Sequence, residues 1–325
     1  MVYASIMNLY LSHISALEFW RSLPPKAARP PYARVKAIPA SHTKFDLGLI
    51  DTLPTACSHP VHILVPDKQS RIQTQKIVSH VLQGPLPAKS LVRLSDSVYA
   101  SSPELCFVQL AGSVCLVKLI RLGFELCGSY ALSRVDGRGF EVRSPLTDVS
   151  SLEEYLSAAK GMYGISKAKQ AHRYVVAGSA SPMETIVVLL LCLPLSLGGY
   201  GFPVPVLNYR INVGKSASRL AEKSYYACDV CWPEAMVAVE YDSTMWHTGA
   251  SRITHDSKRR NALISMGIEV MTLTAGQVFE YFAFDWFAHQ LAKRMGYRLR
   301  VGPHDCDVRR KNLRALLFDI MENGI

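Results

Sequence analysis

The order of predicted helices and strands between Pro182 and Met295 constrains the fold more than any other feature of this sequence. An apolar helix-like run is followed by three strand-like runs, and then by a helix, a strand and a further helix. The predicted elements cover residues 182–193, 207–213, 225–232, 236–241, 254–266, 268–273 and 277–295. This order, with its short turns, implies an α/β domain with a mixed sheet flanked by helices.

The first 150 residues predict a separate α+β unit with long connections. Prolines are frequent before residue 55, a helix is predicted over 13–21 and a strand over 61–65, and leucine spacing predicts buried helices within 102–132. Ser150 and Ser151 resemble a helix start. We therefore predict an α+β domain over 1–150, a helical linker over 151–178 and the α/β domain over 179–325, which ends in an amphipathic helix over 307–321.

Composition limits the class of protein. The net charge of +10 over 325 residues favours a polyanionic partner, because Lys and Arg near phosphates release condensed counterions. Eight cysteines are scattered without the density of a secreted disulfide scaffold, which favours a reducing cytoplasm. The run 186–197 is too short to span a bilayer and residues 1–11 lack a basic start, so we expect a cytoplasmic protein without a membrane segment.

Three acidic residues fall where one pocket could collect them. Glu184 lies on the first predicted helix, Asp229 in the second strand and Glu240 near the end of the third. Carboxylates brought together are costly unless a cation compensates them, and hard oxygen donors suit Mg²⁺ or Mn²⁺. The alternative is an ordinary structural role, as a charge at a helix start and two surface residues at strand ends.

The residues around these acids resemble the PD-(D/E)XK superfamily, and within it the branch related to very-short-patch-repair (Vsr) endonucleases. The resemblance covers about 120 residues, 179–300, and implies a restriction-endonuclease-like fold. Its ordered features are Ser181-Pro182-Met183-Glu184, Asp229 before Trp232-Pro233, Val237 to Asp242, Trp246-His247, and the basic helix and strand marked by Asp256, Arg259, Arg260, Leu263, Gly267 and Val270.

The resemblance also implies site roles. Asp229, Glu240 and Glu184 would hold the metal ion, with Asp242 beside them, and His247 would activate the attacking water. The superfamily lysine two positions after the strand acid is absent, because Asp242 stands there; metal binding does not need this lysine, and Lys258 is the alternative cation. A structural role for His247, hydrogen bonded to the backbone, stays open. Phosphate contacts are assigned to Arg252, Lys258, Arg259 and Arg260.

The front half resembles the C-terminal part of AbiEi-type antitoxin regulators between Val61 and Ala131. The features that carry this looser resemblance are Val65-Pro66, Arg71, His80, Arg93, Val98 and Ser102-Pro103-Glu104, followed by a leucine-rich helix. It implies a regulatory or recognition domain. The start of a helix, with Ser as cap and Pro in the first turn, explains the last motif equally well.

Together these features predict a bacterial Mg²⁺-dependent DNA endonuclease in phage defence or toxin–antitoxin biology. The competing hypothesis is a catalytically inactive DNA-binding regulator of antitoxin type, favoured by the missing lysine and by the front domain. A protein-interaction module is a third, favoured if the three acids prove dispersed. A homo-oligomer or a toxin–antitoxin partner is compatible with all three.

Overall fold

The protein is described by a computed structural model that covers residues 8–23, 34–35, 57–133, 139–212, 225–242, 261, 263–300 and 305–323. The chain divides into two units between Val175 and Val176. Each unit combines helices with a mixed sheet, so the predicted mixture of α and β structure is confirmed.

Within the described residues, the first unit contains a sheet of seven short strands. In chain order they are β1 (Leu9–Leu11), β2 (Arg34–Val35), β3 (Val61–Val65), β4 (Gln73–Thr74), β5 (Ile77–Val81), β6 (Leu91–Arg93) and β7 (Val98–Ser101). The order across the sheet is β2-β6-β7-β1-β3-β5-β4, with β1 parallel to β7 and β3 parallel to β5. The other neighbours are antiparallel. The strand predicted over 61–65 is confirmed as β3.

The helices of the first unit pack around its second helix. They are α1 (His13–Arg21), α2 (Pro103–Ala111), α3 (Leu116–Cys127), α4 (Val149–Ala158) and α5 (Ile165–His172), and a two-stranded pair of β8 (Tyr130–Leu132) and β9 (Phe140–Val142) follows α3. Helix α2 contacts α1, α3, α4 and α5. The segment assigned to a linker, 151–178, thus contributes α5 and most of α4 to this packing.

Side-chain caps set the starts of two helices in the first unit. Ser102 caps α2, because its Oγ accepts the Leu105 N–H at 3.2 Å and Pro103 occupies the first turn. The cap expected at Ser150 and Ser151 is wrong: the Asp148 carboxylate accepts the Ser151 N–H at 2.8 Å and starts α4 two residues earlier. Both residue types are good caps, and the earlier acceptor is the one that reaches the free N–H groups.

The second unit is built on a four-stranded sheet. Its elements are α6 (Pro182–Cys192), β10 (Val206–Asn212), β11 (Tyr225–Trp232), β12 (Val237–Asp242), β13 (Glu269–Thr274), α7 (Ala275–Phe279), α8 (Tyr281–Arg294) and α9 (Cys306–Asn323). The strand order is β10-β11-β12-β13, antiparallel up to β12 and parallel between β12 and β13. The predicted mixed sheet is confirmed, and each of the four predicted strands is present with its ends shifted by at most one residue.

The structure divides one predicted helix of this unit in two and describes only part of another. The prediction of a single helix over 277–295 is wrong, because the helix is interrupted at Glu280. The Glu280 carboxylate accepts the Phe282 and Ala283 N–H groups and begins α8. The helix predicted over 254–266 lies mostly outside the described residues; residues 261 and 263–265 are helical. None of the described helices is both long and apolar enough to cross a membrane.

Candidate functional site

Glu184 lies in the first turn of α6 and is 8% exposed. Its Oε2 accepts the Ala180 N–H at 2.8 Å, and its Oε1 accepts the Ser181 hydroxyl at 3.0 Å. The Ser181 Oγ in turn accepts the Glu184 N–H, so the Ser-x-x-Glu motif closes the start of the helix. This explains why the acid sits at this position, and it gives Glu184 a structural role whatever its chemistry.

A strand residue also holds Glu184. Asn208 of β10 donates from Nδ2 to Glu184 Oε2 at 3.0 Å and to the Gly178 carbonyl at 2.8 Å. Its φ of 48° is a left-handed conformation that asparagine tolerates better than most residues. Asn208 was not predicted as a site residue, since nothing in the spacing of the sequence marks it.

The negative charge of Asp229 acts on Glu184. Burial raises the pKa of Glu184, and the nearby negative charge of Asp229 raises it further, against the lowering effect of the hydrogen bonds from Ala180, Asn208 and Ser181. The pKa of Glu184 therefore lies above its ordinary value. A carboxylate that raises the pKa of another is close enough to repel its charge, and a bound cation would relieve that repulsion.

The sheet register brings the strand acids into one row. The pairs Leu207↔Val230 and Tyr209↔Cys228 place Asn208 opposite Asp229, and continuing Val230↔Val239 by one residue places Asp229 opposite Glu240. Glu240 in turn is paired with Thr272 of β13. In a regular antiparallel ladder, opposite residues have Cβ atoms about 5 Å apart. Continued in this way, the register aligns Asn208, Asp229, Glu240 and Thr272 across the four strands, and we call these residues the polar row.

The end of the β11–β12 ladder is fixed by a side chain of the row. The Asp229 Oδ2 accepts the Tyr241 N–H at 2.9 Å. Asp242 follows at the end of β12, where burial and then the charge of Asp242 raise the pKa of the Tyr241 phenol. On β11, burial and then the charge of Glu240 raise the pKa of the Cys231 thiol to about 11. Asp229, Glu240 and Asp242 are all partly exposed, so ligands can reach them from solvent.

Not every expected residue can be placed. His247, Arg252, Lys258, Arg259 and Arg260 lie outside the described residues. Among the side chains that are described, no group of three or more His, Cys, Asp and Glu is arranged to hold a metal ion. The engagement of Glu184 by three protein donors is one physical reason, since those hydrogen bonds occupy its oxygens.

Comparisons with known proteins show distant relatives only. No protein-family model matches the chain, and no solved structure matches it. The chain is 25% identical over 129 residues to two proteins of Mycobacterium tuberculosis, the "Uncharacterized protein MT2308" of strain CDC 1551 / Oshkosh and the "Uncharacterized protein Rv2248" of strain H37Rv. The matched stretch is 40% of this chain and 43% of each relative, so the chain spans less than half the length of these relatives.

Proposed function

We propose that the second unit is a restriction-endonuclease-like domain that hydrolyses DNA phosphodiester bonds with a divalent metal ion held at the polar row. The observation that carries the proposal is the register of β11 and β12, in which Asp229 and Glu240 fall opposite one another, together with the effect of the Asp229 charge on Glu184 of α6. The strand order supports it, because three antiparallel strands and a parallel fourth, preceded by a helix, agree with the fold that the PD-(D/E)XK resemblance implies.

The donor set fits Mg²⁺ or Mn²⁺. Mg²⁺ usually takes one or two carboxylates from a protein and keeps several waters, so Asp229 and Glu240 suffice as direct ligands. Glu184 would add its negative charge near this site, and its oxygens keep their protein donors. The raised pKa of Glu184 is consistent with negative charge that a cation would balance.

The residues of the chain divide the chemistry between them. A bound divalent ion supplies charge for the phosphoryl oxygens and acidifies a water. His247 removes the proton from the attacking water, as the resemblance to Vsr-like enzymes implies. Arg252, Lys258, Arg259 and Arg260 hold the DNA phosphates, which positions the strand without reading its sequence. The biological setting that we propose for this activity is defence against foreign DNA or a toxin–antitoxin system.

A DNA-binding regulator without cleavage is the second candidate. Two observations favour it: Asp242 stands where the superfamily has its lysine, and the described residues contain no complete group of three metal ligands. In this case the basic residues bind DNA and the polar row stabilises the sheet.

Cleavage of supercoiled plasmid and of single-stranded DNA by the full-length protein separates the two candidates. With Mg²⁺ or Mn²⁺ we expect nicked or linear product, none in EDTA, and DNA affinity that falls steeply with salt. Glu234→Gln is the matched control, because this exposed carboxylate lies in the turn between β11 and β12; it should cut like the wild type. Salt-sensitive binding without cleavage in either metal would replace the enzyme by the regulator.

A further inference from the structure

The first unit contains a cleft of about 360 Å³ that none of the nuclease chemistry uses. Leucine, valine and methionine side chains form much of its wall. The polar side chains on it are His13, Arg71, Ser79, His80, Gln83, Gln109, Ser113 and Tyr163. An apolar pocket of this size with a few converging polar groups is the usual form of a small-molecule site.

Two histidines, His13 and His80, line the cleft, and a third, His62, lies behind them against His80. His62 Nδ1 lies 2.9 Å from His80 Nε2, and the His80 ring stacks on the His13 ring with centroids 3.5 Å apart and planes inclined by 20°. His62 and His80 come from the parallel strands β3 and β5, whereas His13 begins α1. The fold therefore gathers imidazoles that are distant in sequence.

This cluster is not arranged as a metal site. The N···N distance between His62 and His80 is that of a hydrogen bond, so one ring donates a proton and the other accepts it. This hydrogen bond uses one nitrogen of each ring, and no group of three or more His, Cys, Asp and Glu in the described part of the chain is arranged to hold a metal ion. The ring of His13 lies face to face with His80, so their in-plane lone pairs do not converge on one point.

The histidines are neutral near pH 7. Burial, and then the neighbouring imidazoles, lower the pKa of His13 to about 3. Burial, then His62, and then the positive charge of Arg71 lower the pKa of His80 to about 4. A neutral imidazole presents both a donor and an acceptor, together with an aromatic face. Arg71 is the permanent positive charge on the cleft wall.

His13 is held in an uncommon backbone conformation. Its φ is 50°, and two side chains of α2 fix it: the His13 N–H donates to Gln109 Oε1 at 3.0 Å, and the Cys106 thiol donates to the His13 carbonyl at 3.1 Å. A left-handed residue other than glycine costs energy and is kept where the surroundings over-determine it, which is common at ligand sites.

We propose that this cleft binds a nucleoside monophosphate, with its base among the imidazoles and apolar wall and its phosphate at Arg71. A planar heterocycle suits apolar walls and an aromatic face. Its edge carries donors and acceptors that neutral imidazole nitrogens and the Gln109 amide can match. A guanidinium pairs with phosphate through two parallel hydrogen bonds. The inference concerns the first unit and holds whether or not the second unit cuts DNA.

Isothermal titration of the full-length protein with AMP, GMP, CMP and UMP tests this, with the matching nucleosides and inorganic phosphate as separate arms. At least one nucleotide should bind with 1:1 stoichiometry, and its nucleoside should bind about tenfold or more weaker, the usual scale of one charged hydrogen-bonded contact. Arg71→Met should remove that difference and leave nucleoside affinity unchanged. Leu82→Trp, at a half-buried cleft residue, should block both ligands.

The control variant is Arg93→Met, which removes an arginine paired with Asp96 elsewhere in the same unit and should bind like the wild type. Circular dichroism of each variant checks that it is folded. The proposal is overturned if no nucleotide binds at millimolar concentration, if phosphate alone binds as tightly as the nucleotide, or if a folded Arg71→Met protein binds nucleotide as the wild type does.

Discussion

Asp229→Asn should reduce metal-dependent DNA cleavage by about 10³-fold or more while leaving DNA affinity at low salt unchanged. The substitution removes the charge that holds the ion but keeps an oxygen that can accept the Tyr241 N–H, so the β11–β12 ladder should persist. Loss of several kcal/mol of charge stabilisation at the transition state corresponds to this factor. DNA affinity depends on the basic residues instead.

His247→Ala supplies the matched comparison in the same assay. It should slow cleavage by roughly 10²-fold, the scale of general-base loss, and leave metal affinity largely intact. Single-turnover rates and DNA binding are measured for both variants beside Glu234→Gln. Equal cleavage by Asp229→Asn and the wild type would remove Asp229 from the site.

Glu125→Ala should destabilise the first unit by about 3–5 kcal/mol, the usual result of removing one partner of a buried ion pair. Glu125 on α3 is 1% exposed and accepts two hydrogen bonds from Arg21, at 2.8 and 2.7 Å. The guanidiniums of Arg121 and Arg143 are also buried nearby, and three of their nitrogens have no hydrogen-bond partner within the part of the chain that the structure describes. Without the carboxylate, three positive charges face one another.

Urea denaturation followed by circular dichroism measures the change, with Glu153→Ala on the exposed side of α4 as the control, expected within about 0.5 kcal/mol of the wild type. Burial raises the pKa of Glu125, but Arg21, and then Arg143 and Arg121, outweigh it and bring the pKa to about 2. This stabilisation is therefore complete above the ordinary value of 4.5 and is lost as pH falls toward 2. A Glu125→Ala protein as stable as the control would show that the cluster does not need its carboxylate.

The helices and strands of the second unit were predictable because turn residues separate them in the sequence. Short apolar runs such as Val237 to Val239 lie between turn residues such as Pro233, and each is long enough to show its period. The break at Glu280 was missed because helix-forming residues continue through it, and only the side-chain cap separates α7 from α8. In the first unit most strands have two to four residues and are too short to show an alternation, and the longer strand β3 was the one predicted.

The candidate site was predictable only where a residue type and its place in a strand coincide, as for Asp229 and Glu240. Asn208 escaped notice because its role comes from tertiary contacts, with Gly178 and Glu184, that no local pattern encodes. The burial of the charged residues Arg121 and Glu125 was not predicted, because they lie in a helix whose leucines indicate an ordinary apolar core. The histidine cluster likewise depends on the pairing of β3 with β5.

Binding of Mn²⁺ to the full-length protein, measured by electron paramagnetic resonance, tests the central claim that the polar row holds a divalent ion. The wild type and Glu234→Gln should each bind one ion in the second unit. Asp229→Asn and Glu240→Gln should each bind it about 100-fold or more weaker, since even outer-shell partners are worth 10- to 100-fold. Absence of bound Mn²⁺ in the wild type, or equal affinity in all four proteins, would contradict the claim.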